Sequence, residues 1–549
     1  MRFPAFLTAV IILLLFLCGC GNYVPELADD TDEPSATHSE NTDDSGEKQP
    51  VQGGTLRLSV SEIGTINPLL TQNADMQNYG WLVCEPLVNI NAFMEAEPCI
   101  LESFISTPSY NVWEFKVKEN ILFHDGSRVT AAAVKNLIDF IIEKGGGFSE
   151  NVANVAGCFA TDESTVQFVL KEGDANFPGK LYIPLVGPAT LVADLPTKLV
   201  GTGIFRQTEY DGNCITLEKN TDYRDEDKLT HFDRVEISIF KTEYEKMTSD
   251  CDICLYYGET VSAEALSEGD TIYYFEGSDY NYVAVNCSST CLFGSGTGEE
   301  SSYIAISNPL ENVNFRKALT HLVSAQQALV SAGNSRGVIA LFPLHSGTAY
   351  YRPEHYEYDY NISLAKSLVE SCGYSYDGEN DTWLCADGTE LFITAISPAS
   401  DFELKEILRQ VTEGLEKIGV TVILEELDDE EYERRLETKE YMLAALQTEL
   451  GTWMSTEKIF GTGETLNYSY YSSSKADVLL DQIRLTADSE TLLAARKELE
   501  DIIIDEVPII GFYISQNAAV VSERLKGISS DSFEFVNLFA HINEWWLCE

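Results

Sequence analysis

Apolar and polar residues alternate over short runs from about residue 53 onward, and this pattern predicts where the folded body begins. Residues 53–60 alternate like a strand with one buried face. Asn67-Pro68 then predicts a turn, and residues 75–88 are compatible with a helix. We therefore expect the folded body to start near Gly53.

A strand, a tight turn and a helix are predicted in succession between residues 113 and 143. Residues 113–120 alternate like a strand. Asp125-Gly126 predicts a tight turn, because Gly adopts positive φ without steric cost. Thr130 is placed to cap a helix over residues 131–143, since its hydroxyl can accept hydrogen bonds from the free amides of the first turn.

Residues 401–418 carry apolar side chains at helical spacing, and this stripe predicts a helix packed on a core. A partner-binding face is the alternative. The stripe comprises Phe402, Leu404, Ile407, Leu408, Val411 and Leu415.

The chain begins with a positive end and a short apolar run. Arg2 precedes a mostly apolar segment over residues 6–17. This run is shorter than the ~20 residues of a membrane-spanning helix, and it is typical of a secretory signal.

Leu17-Cys18-Gly19-Cys20 resembles the lipobox of bacterial lipoproteins, which has an apolar residue at −3 and a small residue at −1 from the modified cysteine. The resemblance implies a signal peptide over residues 1–20 and palmitate-type lipid chains on Cys20 that anchor the mature protein to the membrane. An ordinary cleaved signal with two incidental cysteines is the alternative.

Residues 21–50 lack apolar periodicity and are rich in Asp, Glu, Ser, Thr and Pro. Such a composition buries too little apolar surface to offset the entropy of ordering. We predict a disordered, acidic tether that holds the body off the membrane.

The net charge of the chain limits the kinds of molecule that it can bind. The 549-residue chain has 88 acidic and 36 basic residues, a balance of −52 at pH 7. Such a surface repels nucleic acid and anionic lipid head groups. Solubility is its simplest consequence.

Short sequence runs follow one another over nearly the whole chain after residue 50, and their order resembles family 5 of the bacterial extracellular solute-binding proteins. These proteins are the oligopeptide- and dipeptide-binding components of ABC transporters. The runs are GGTLR (53–57), INPLL (66–70), EPLV (85–88), LESF (101–104), WEFKVKEN (113–120), FHDGSRVT (123–130), VGTGIF (200–205), LEKNTDY (217–223), FDRVEI (232–237), YVAVN (282–286), VNFRKAL (313–319), AKSLVESCGY (365–374), PIIGFY (508–513) and LKGI (525–528).

The resemblance implies an α/β fold with two lobes of the periplasmic-binding-protein-like type II, which close like a clamshell, and a third domain inserted in the first lobe. Lobe I would comprise residues 51–88, 185–278 and 515–549. The inserted domain would comprise residues 89–184, and lobe II residues 279–514.

The family pattern also suggests where a peptide's free ammonium would bind. In the family, a Trp-x-x-Asp turn after a strand supplies a carboxylate. An ungapped match puts Gly451 at that position, whereas a two-residue shift puts Glu449 there. Glu449 is our candidate, because a buried ammonium requires a charged partner. A solvated loop residue is the alternative.

Further ligand-binding candidates offer flat aromatic faces or polar groups near the implied cleft. Ordinary strand packing is the alternative for the tyrosines, and a structural role is the alternative for Glu85. The candidates are Tyr280, Asn281, Tyr282, Trp453, Tyr468 and Glu85.

The resemblance implies a monomeric, extracytoplasmic binding protein that captures a peptide or peptide-like solute and presents it to ABC transporter permease subunits. It would have no enzymatic activity, no cofactor and no metal. Other ligands (a nickel chelate, an opine or an oligosaccharide) and a role as a peptide-sensing receptor stay open. The sequence contains no Gly-x-Ser-x-Gly or His-Glu-x-x-His motif to support an enzyme.

Thirteen cysteines occur in the chain, and an extracellular location permits disulfides. Cys372 and Cys385 flank a hairpin-like stretch and are the best predicted pair. Cys251 and Cys254 have the Cys-x-x-Cys spacing, but in a strand residues three apart point to opposite faces. We therefore expect no dithiol chemistry there.

Overall fold

The computed structural model describes residues 50–191, 197–258, 260–295, 302–451, 456–534 and 536–548. The predicted signal peptide, Cys20 and all but the last residue of the predicted tether lie outside these ranges. The strands are β1 (Thr55–Ser61), β2 (Val88–Ile90), β3 (Ala96–Pro98), β4 (Leu101–Ser106), β5 (Val112–Val117), β6 (Val155–Ala160), β7 (Thr165–Leu170), β8 (Phe205–Tyr210), β9 (Cys214–Lys219), β10 (Arg234–Phe240), β11 (Ile253–Tyr256), β12 (Thr271–Val285), β13 (Thr290–Ser295), β14 (Ser302–Ser307), β15 (Gly337–Ile339), β16 (Ser375–Asp377), β17 (Thr382–Leu384), β18 (Phe392–Pro398), β19 (Thr421–Leu427), β20 (Leu443–Glu449), β21 (Ile509–Val521), β22 (Leu525–Lys526) and β23 (Trp546–Leu547).

Most of the longer helices begin at a side chain that caps the first turn. Thr130 Oγ1 accepts from the Ala133 amide, as predicted, and Asp401 accepts from the Leu404 amide. The helices are α1 (Ala74–Val83), α2 (Ala131–Lys144), α3 (Ser149–Val152), α4 (Phe177–Lys180), α5 (Pro188–Leu191), α6 (Glu243–Met247), α7 (Val313–Thr320), α8 (Ala325–Ser331), α9 (Ile362–Ser371), α10 (Phe402–Lys417), α11 (Asp429–Thr438), α12 (Thr456–Phe460), α13 (Ser474–Arg484) and α14 (Ser489–Glu506).

One large mixed sheet runs through the molecule in the order β19-β18-β20-β12-β21-β11-β1-β10-β9-β8, with β15 paired to β21. The long strands β12 and β21 lie at its centre and pair antiparallel to each other. Their register shifts between Glu276 and Tyr280. Such an irregularity bends a strand locally. The sheet therefore bends where β12 and β21 pair, and this place is called the crossing below.

Two main hydrophobic cores flank this crossing. One core is built from buried residues between Leu56 and Phe275 together with residues between Ala519 and Trp545. The other is built from residues between Tyr280 and Ile514. A chain that divides its buried residues in this way forms two bodies joined by the crossing strands.

A separate antiparallel sheet, in the order β4-β5-β7-β6, accompanies the first core. Helix α2 packs against β6 and β7, and its buried face carries Val134, Leu137, Ile138 and Ile141. This unit is the inserted domain. The architecture is the α/β, two-lobed clamshell with an inserted third domain that the sequence predicts.

Several local predictions are confirmed and others are wrong. Gly126 has a φ of +83° in the predicted turn. The helix predicted over residues 75–88 ends at Val83, because Cys84 takes an extended backbone conformation. Phe402 does not join the predicted core stripe, since it is 59% exposed.

The structure also contradicts the predictions made for the cysteines. Cys372 and Cys385 are free thiols, and the Cys372 thiol donates to the Leu368 carbonyl at 3.2 Å. Strand β11 begins at Ile253, so Cys251 lies in the turn before the strand. The prediction that both cysteines lie on one strand and point to opposite faces is therefore wrong in its premise, and both join one small apolar cluster.

Candidate functional site

A cavity of about 680 Å³ lies between the two cores, with walls supplied from both sides. Helix α1, the loop before α3 and residues near the chain end supply the first wall. The loop after β20 and helix α12 supply the second. Residues 275–278 of β12 form the floor. Small-ligand clefts typically enclose roughly 300–1,000 Å³, so this cavity can hold a small solute.

The floor contains a polar contact that joins two distant segments. His345 Nδ1 lies 2.7 Å from Glu276 Oε1, and His345 Nε2 lies 3.2 Å from the Leu450 carbonyl oxygen. The Ser346 amide also donates to both Glu276 oxygens at 3.1 Å. Both imidazole nitrogens of His345 therefore lie within hydrogen-bond distance of an oxygen. This contact holds the end of β20 beside the crossing strand.

Glu449 ends β20 and lines the cavity. It lies opposite Asp279 in the antiparallel pair formed with β12. The pKa of Asp279 is raised by burial and by the nearby charges of Glu449 and Asp401. Two carboxylates facing each other across a sheet are unfavourable without a cation. The pair therefore concentrates negative charge at this edge of the cavity.

Aromatic side chains supply the apolar part of the opposite wall. The rings of Trp81 and Phe148 meet edge to face at 6.4 Å, and both residues line the cavity. Trp81 also packs on Tyr182 at 4.8 Å. Such faces suit the apolar side chains of a ligand. The sequence interpretation missed Trp81, although a Trp beside Gln77 and Asn78 on one helix was an available signal.

A buried ion pair lies directly behind this wall. Lys246 Nζ lies 2.9 Å from Asp75 Oδ2 and 2.5 Å from Glu243 Oε1. Burial raises the pKa of Asp75 to about 6, although the charge of Lys246 opposes the shift. The ammonium also lies 5.7 Å from the ring centroid of Tyr257, which lines the cavity. The ion pair thus supports one wall of the cavity.

The predicted aromatic candidates lie mostly inside the second core. The rings of Tyr280 and Tyr282 stack at 5.3 Å, and both are almost completely buried. Asn281 donates to Ser515 Oγ at 2.8 Å and accepts from Gln447 at 3.2 Å. None of these three lines the cavity as the structure describes it.

The remaining candidates are scattered. The backbone carbonyl of Tyr468 accepts from the Tyr441 hydroxyl at 2.5 Å within the second core. Glu85 is ion-paired with Arg224 and accepts from Tyr223 at 2.7 Å, outside the cavity. Trp453 lies outside the described residues. Of the predicted ligand-binding residues that are described, Glu449 lines the cavity.

The two sides of the cavity touch along one edge. The Ala175 amide donates to the Arg484 carbonyl at 2.7 Å, and Arg484 Nη1 donates to the Gly173 carbonyl at 2.6 Å. Lys458 of α12 forms an ion pair with Glu150 of α3, and both residues line the cavity. These contacts hold the inserted domain against the second lobe, so the cavity is enclosed on this edge.

The sequence profile described as "Bacterial extracellular solute-binding proteins, family 5 Middle" matches residues 95–462. The chain belongs to this family of solute-binding proteins. The match covers more than half of the chain. As a member of a solute-binding family, the chain is extracytoplasmic, and the matches indicate no catalytic family.

Relatives of this solute-binding protein extend the likeness beyond the matched region. The dipeptide-binding protein DppE of Bacillus subtilis is 20% identical over 499 residues, which span 83% of this chain and 86% of DppE. The oligopeptide-binding protein AppA of Bacillus subtilis is 21% identical over 578 aligned positions, which span 99% of this chain and 98% of AppA.

Solved structures confirm the predicted fold class. An unliganded, open form of the murein tripeptide-binding protein MppA matches with a TM-score of 0.72 and 17% identity, covering 91% of this chain and 99% of MppA. The NikZ protein of Campylobacter jejuni in complex with Ni(L-His) matches with a TM-score of 0.62 and 18% identity, covering 90% and 99%.

Two features are absent from the part of the chain that the structure describes. No helix there combines the length and apolar character needed to cross a bilayer. No group of three or more His, Cys, Asp and Glu side chains there is arranged to hold a metal ion.

Proposed function

We propose that this solute-binding protein captures a short peptide or peptide-like solute between its lobes and delivers it to the permease subunits of an ABC transporter. The observation that carries the proposal is the cavity of about 680 Å³, which is walled by both lobes and has Glu449 at its second wall. DppE and AppA, whose alignments span 83% and 99% of this chain, are a dipeptide-binding and an oligopeptide-binding protein.

The wall chemistry supports a peptide rather than a purely apolar or purely charged solute. Trp81 and Phe148 offer apolar faces to side chains, whereas Gln77, Asn78 and Asn517 offer groups that can hydrogen bond to peptide amides and carbonyls. Gly277 and Ser278 line the floor between these walls.

Glu449 is the proposed partner of the peptide's free ammonium group. It lines the cavity, lies opposite a second carboxylate, and forms no ion pair among the described residues. A charge-assisted hydrogen bond is roughly twice as strong as a neutral one. We therefore expect a preference for peptides with an unmodified amino terminus.

The proposed domain boundaries, oligomeric state and membrane anchor are consistent with this function. We propose lobe I as residues 51–88, 185–278 and 515–549, the inserted domain as 89–184, and lobe II as 279–514. The protein would act as a monomer held to the membrane by lipid chains on Cys20, behind the tether of residues 21–50. The mass of the amino-terminal peptide from membrane-extracted protein tests the anchor, and an unlipidated Cys20 contradicts it.

A thermal-shift screen of the purified protein tests the ligand class. Peptides of two to five residues should raise the unfolding midpoint, because a ligand at 100 times its Kd adds about 2.7 kcal/mol to stability. A nickel–histidine chelate and an oligosaccharide serve as controls. A shift with either control and with no peptide would overturn the proposal.

A further inference from the structure

Two cysteines with Cys-x-x-Cys spacing meet on the first lobe, away from the cavity lining. Cys251 is half-buried in the turn after helix α6, and Cys254 is buried in β11. Both belong to a small apolar cluster that includes Tyr256, Ala518 and Val520. The fold thus brings both cysteines into the same cluster.

The two thiols pack in this one cluster, each with its own polar neighbour. Ser59 Oγ donates to Cys251 Sγ at 3.4 Å, and Cys254 Sγ lies 3.7 Å from the Lys246 carbonyl oxygen.

Their surroundings make the two thiols chemically unequal. The pKa of Cys251 is lowered by the neighbouring Cys254 thiol, assisted by Ser59 and opposed by burial. The pKa of Cys254 is raised by the neighbouring Cys251 thiol and by burial. Cys251 is also the more exposed of the two, so it is the better placed to attack, with Cys254 in the same cluster as the second thiol.

We propose that Cys251 and Cys254 form an intrachain disulfide by exchange with a low-molecular-weight disulfide outside the cell. The Cys251 thiolate attacks one sulfur of the reagent and releases one thiolate, which leaves a mixed disulfide. Cys254 then loses its proton to solvent and attacks Cys251 Sγ, displacing the second thiolate. Two protein thiols are oxidised to one disulfide, and the reagent is reduced to two thiols.

The product would tie the turn after α6 to β11. Lys246, which supports the cavity wall through Asp75, lies on that helix. The modification site is nevertheless separate from the cavity lining, so its test does not depend on which solute the protein binds.

Peptide mapping tests the pairing directly. Purified protein is incubated with oxidised glutathione, alkylated, and digested with an endoproteinase that cleaves before Asp. Cleavage before Asp250, Asp252 and Asp270 separates the two cysteines. We expect the dipeptide 250–251 to stay linked to the peptide 252–269 until a reductant is added. Two alkylated cysteines, or linkage of the dipeptide to another peptide, would overturn the proposal.

Two serine variants assign the roles. Cys254→Ser should accumulate glutathione on Cys251, because the second thiol is missing. Cys251→Ser should gain no adduct at Cys254. Cys84, which is fully buried, is the internal control and should stay unmodified in the native protein. A glutathione adduct that persists in the unmodified sequence would contradict an attack by Cys254.

The pH dependence of the first step is a second readout. The rate of adduct formation in Cys254→Ser measures the Cys251 thiolate, although the variant removes the thiol that lowers the pKa of Cys251. We therefore expect disulfide formation in the original sequence to reach half its maximal rate at a lower pH than adduct formation in the variant. The opposite order would contradict the role of Cys251.

Discussion

Asp279 and Glu449 illustrate how a locally unfavourable electrostatic interaction can indicate a binding site. They face each other across an antiparallel strand pair, at the edge of a cavity that both lobes enclose. Like charges in this arrangement destabilise a sheet. Partial burial of Asp279 increases the cost, since its pKa is raised. A ligand cation placed between the two lobes would relieve the repulsion between these carboxylates. Ligand binding would therefore stabilise the residues at the edge of the closed cleft.

Replacing Glu449 by Gln removes the charge and keeps the shape of the side chain. Affinity for a peptide with a free amino terminus should fall about 10- to 150-fold, since a hydrogen bond to a charged group contributes about 1.5–3 kcal/mol. Affinity for the N-acetylated peptide should change much less. Isothermal titration calorimetry on both peptides measures the difference.

Glu433→Gln is the matched control, because Glu433 is an exposed carboxylate on α11 outside the cavity. It should leave both affinities unchanged. Without ligand, Glu449→Gln should keep or raise the unfolding midpoint, since it removes repulsion with Asp279. Equal losses for the free and acetylated peptides would contradict an ammonium contact at Glu449.

The two crossing strands restrict which residues are tolerated between the lobes. Gly277 lies where the register of β12 shifts, and a Cβ placed there would come within 2.8 Å of the Ser515 carbonyl oxygen on β21. That approach is too close for any side chain unless the backbone moves. The crossing therefore depends on close contact between β12 and β21 as well as on their hydrogen bonds.

Gly277→Ala should destabilise the protein by about 1–3 kcal/mol, which is typical of overpacking at a close contact. A urea unfolding series measures the change. Gly64→Ala is the control, because a Cβ there meets nothing within 4 Å, and it should be neutral or slightly stabilising. A Gly277→Ala protein as stable as the original would contradict a tight crossing.

Elements whose signals are local could be predicted from the sequence. Thr130 caps α2, Gly126 takes positive φ, and Gly373 follows α9 with a φ of +96°. In each case the deciding interaction lies within a few residues. Cys251 shows the limit of this approach, because the start of β11 two residues later decides which way its side chain points.

The lining of the cavity could be predicted only in part, because it combines segments that are distant in sequence. Trp81, Glu276, His345 and Glu449 lie on four separate segments, and the fold alone brings them together. Glu449 was found through a family pattern. The Glu276–His345 contact has no local signal, since 69 residues separate its partners. Tyr280 and Tyr282 were predicted on the correct strand, but alternation directs their side chains into the core.

The enclosed cavity requires the lobes to stay together, and the inserted domain supplies part of that attraction. Its loop over residues 173–176 forms hydrogen bonds with the end of α13, and Glu150 forms an ion pair with Lys458. Binding proteins of this architecture close by hinge rotation around the ligand. Contacts that exist only in the closed form shift the equilibrium toward it, and this shift raises the apparent affinity for a ligand.

Arg484→Ala should therefore weaken closure without replacing a residue that lines the cavity. Arg484 Nη1 donates to the Gly173 carbonyl across the gap between the lobes, and the lost interaction of about 1.5–3 kcal/mol should lower peptide affinity when the closed form is only partly populated. Small-angle X-ray scattering of the unliganded variant should show a larger radius of gyration, and saturating peptide should restore the original value.

Arg409→Ala is the matched control, because it removes an arginine whose partners, Glu406 and Glu413, lie on its own helix. It should change neither the radius of gyration nor the peptide affinity. An Arg484→Ala protein with unaltered scattering and affinity would show that the inserted domain does not help to hold the lobes together.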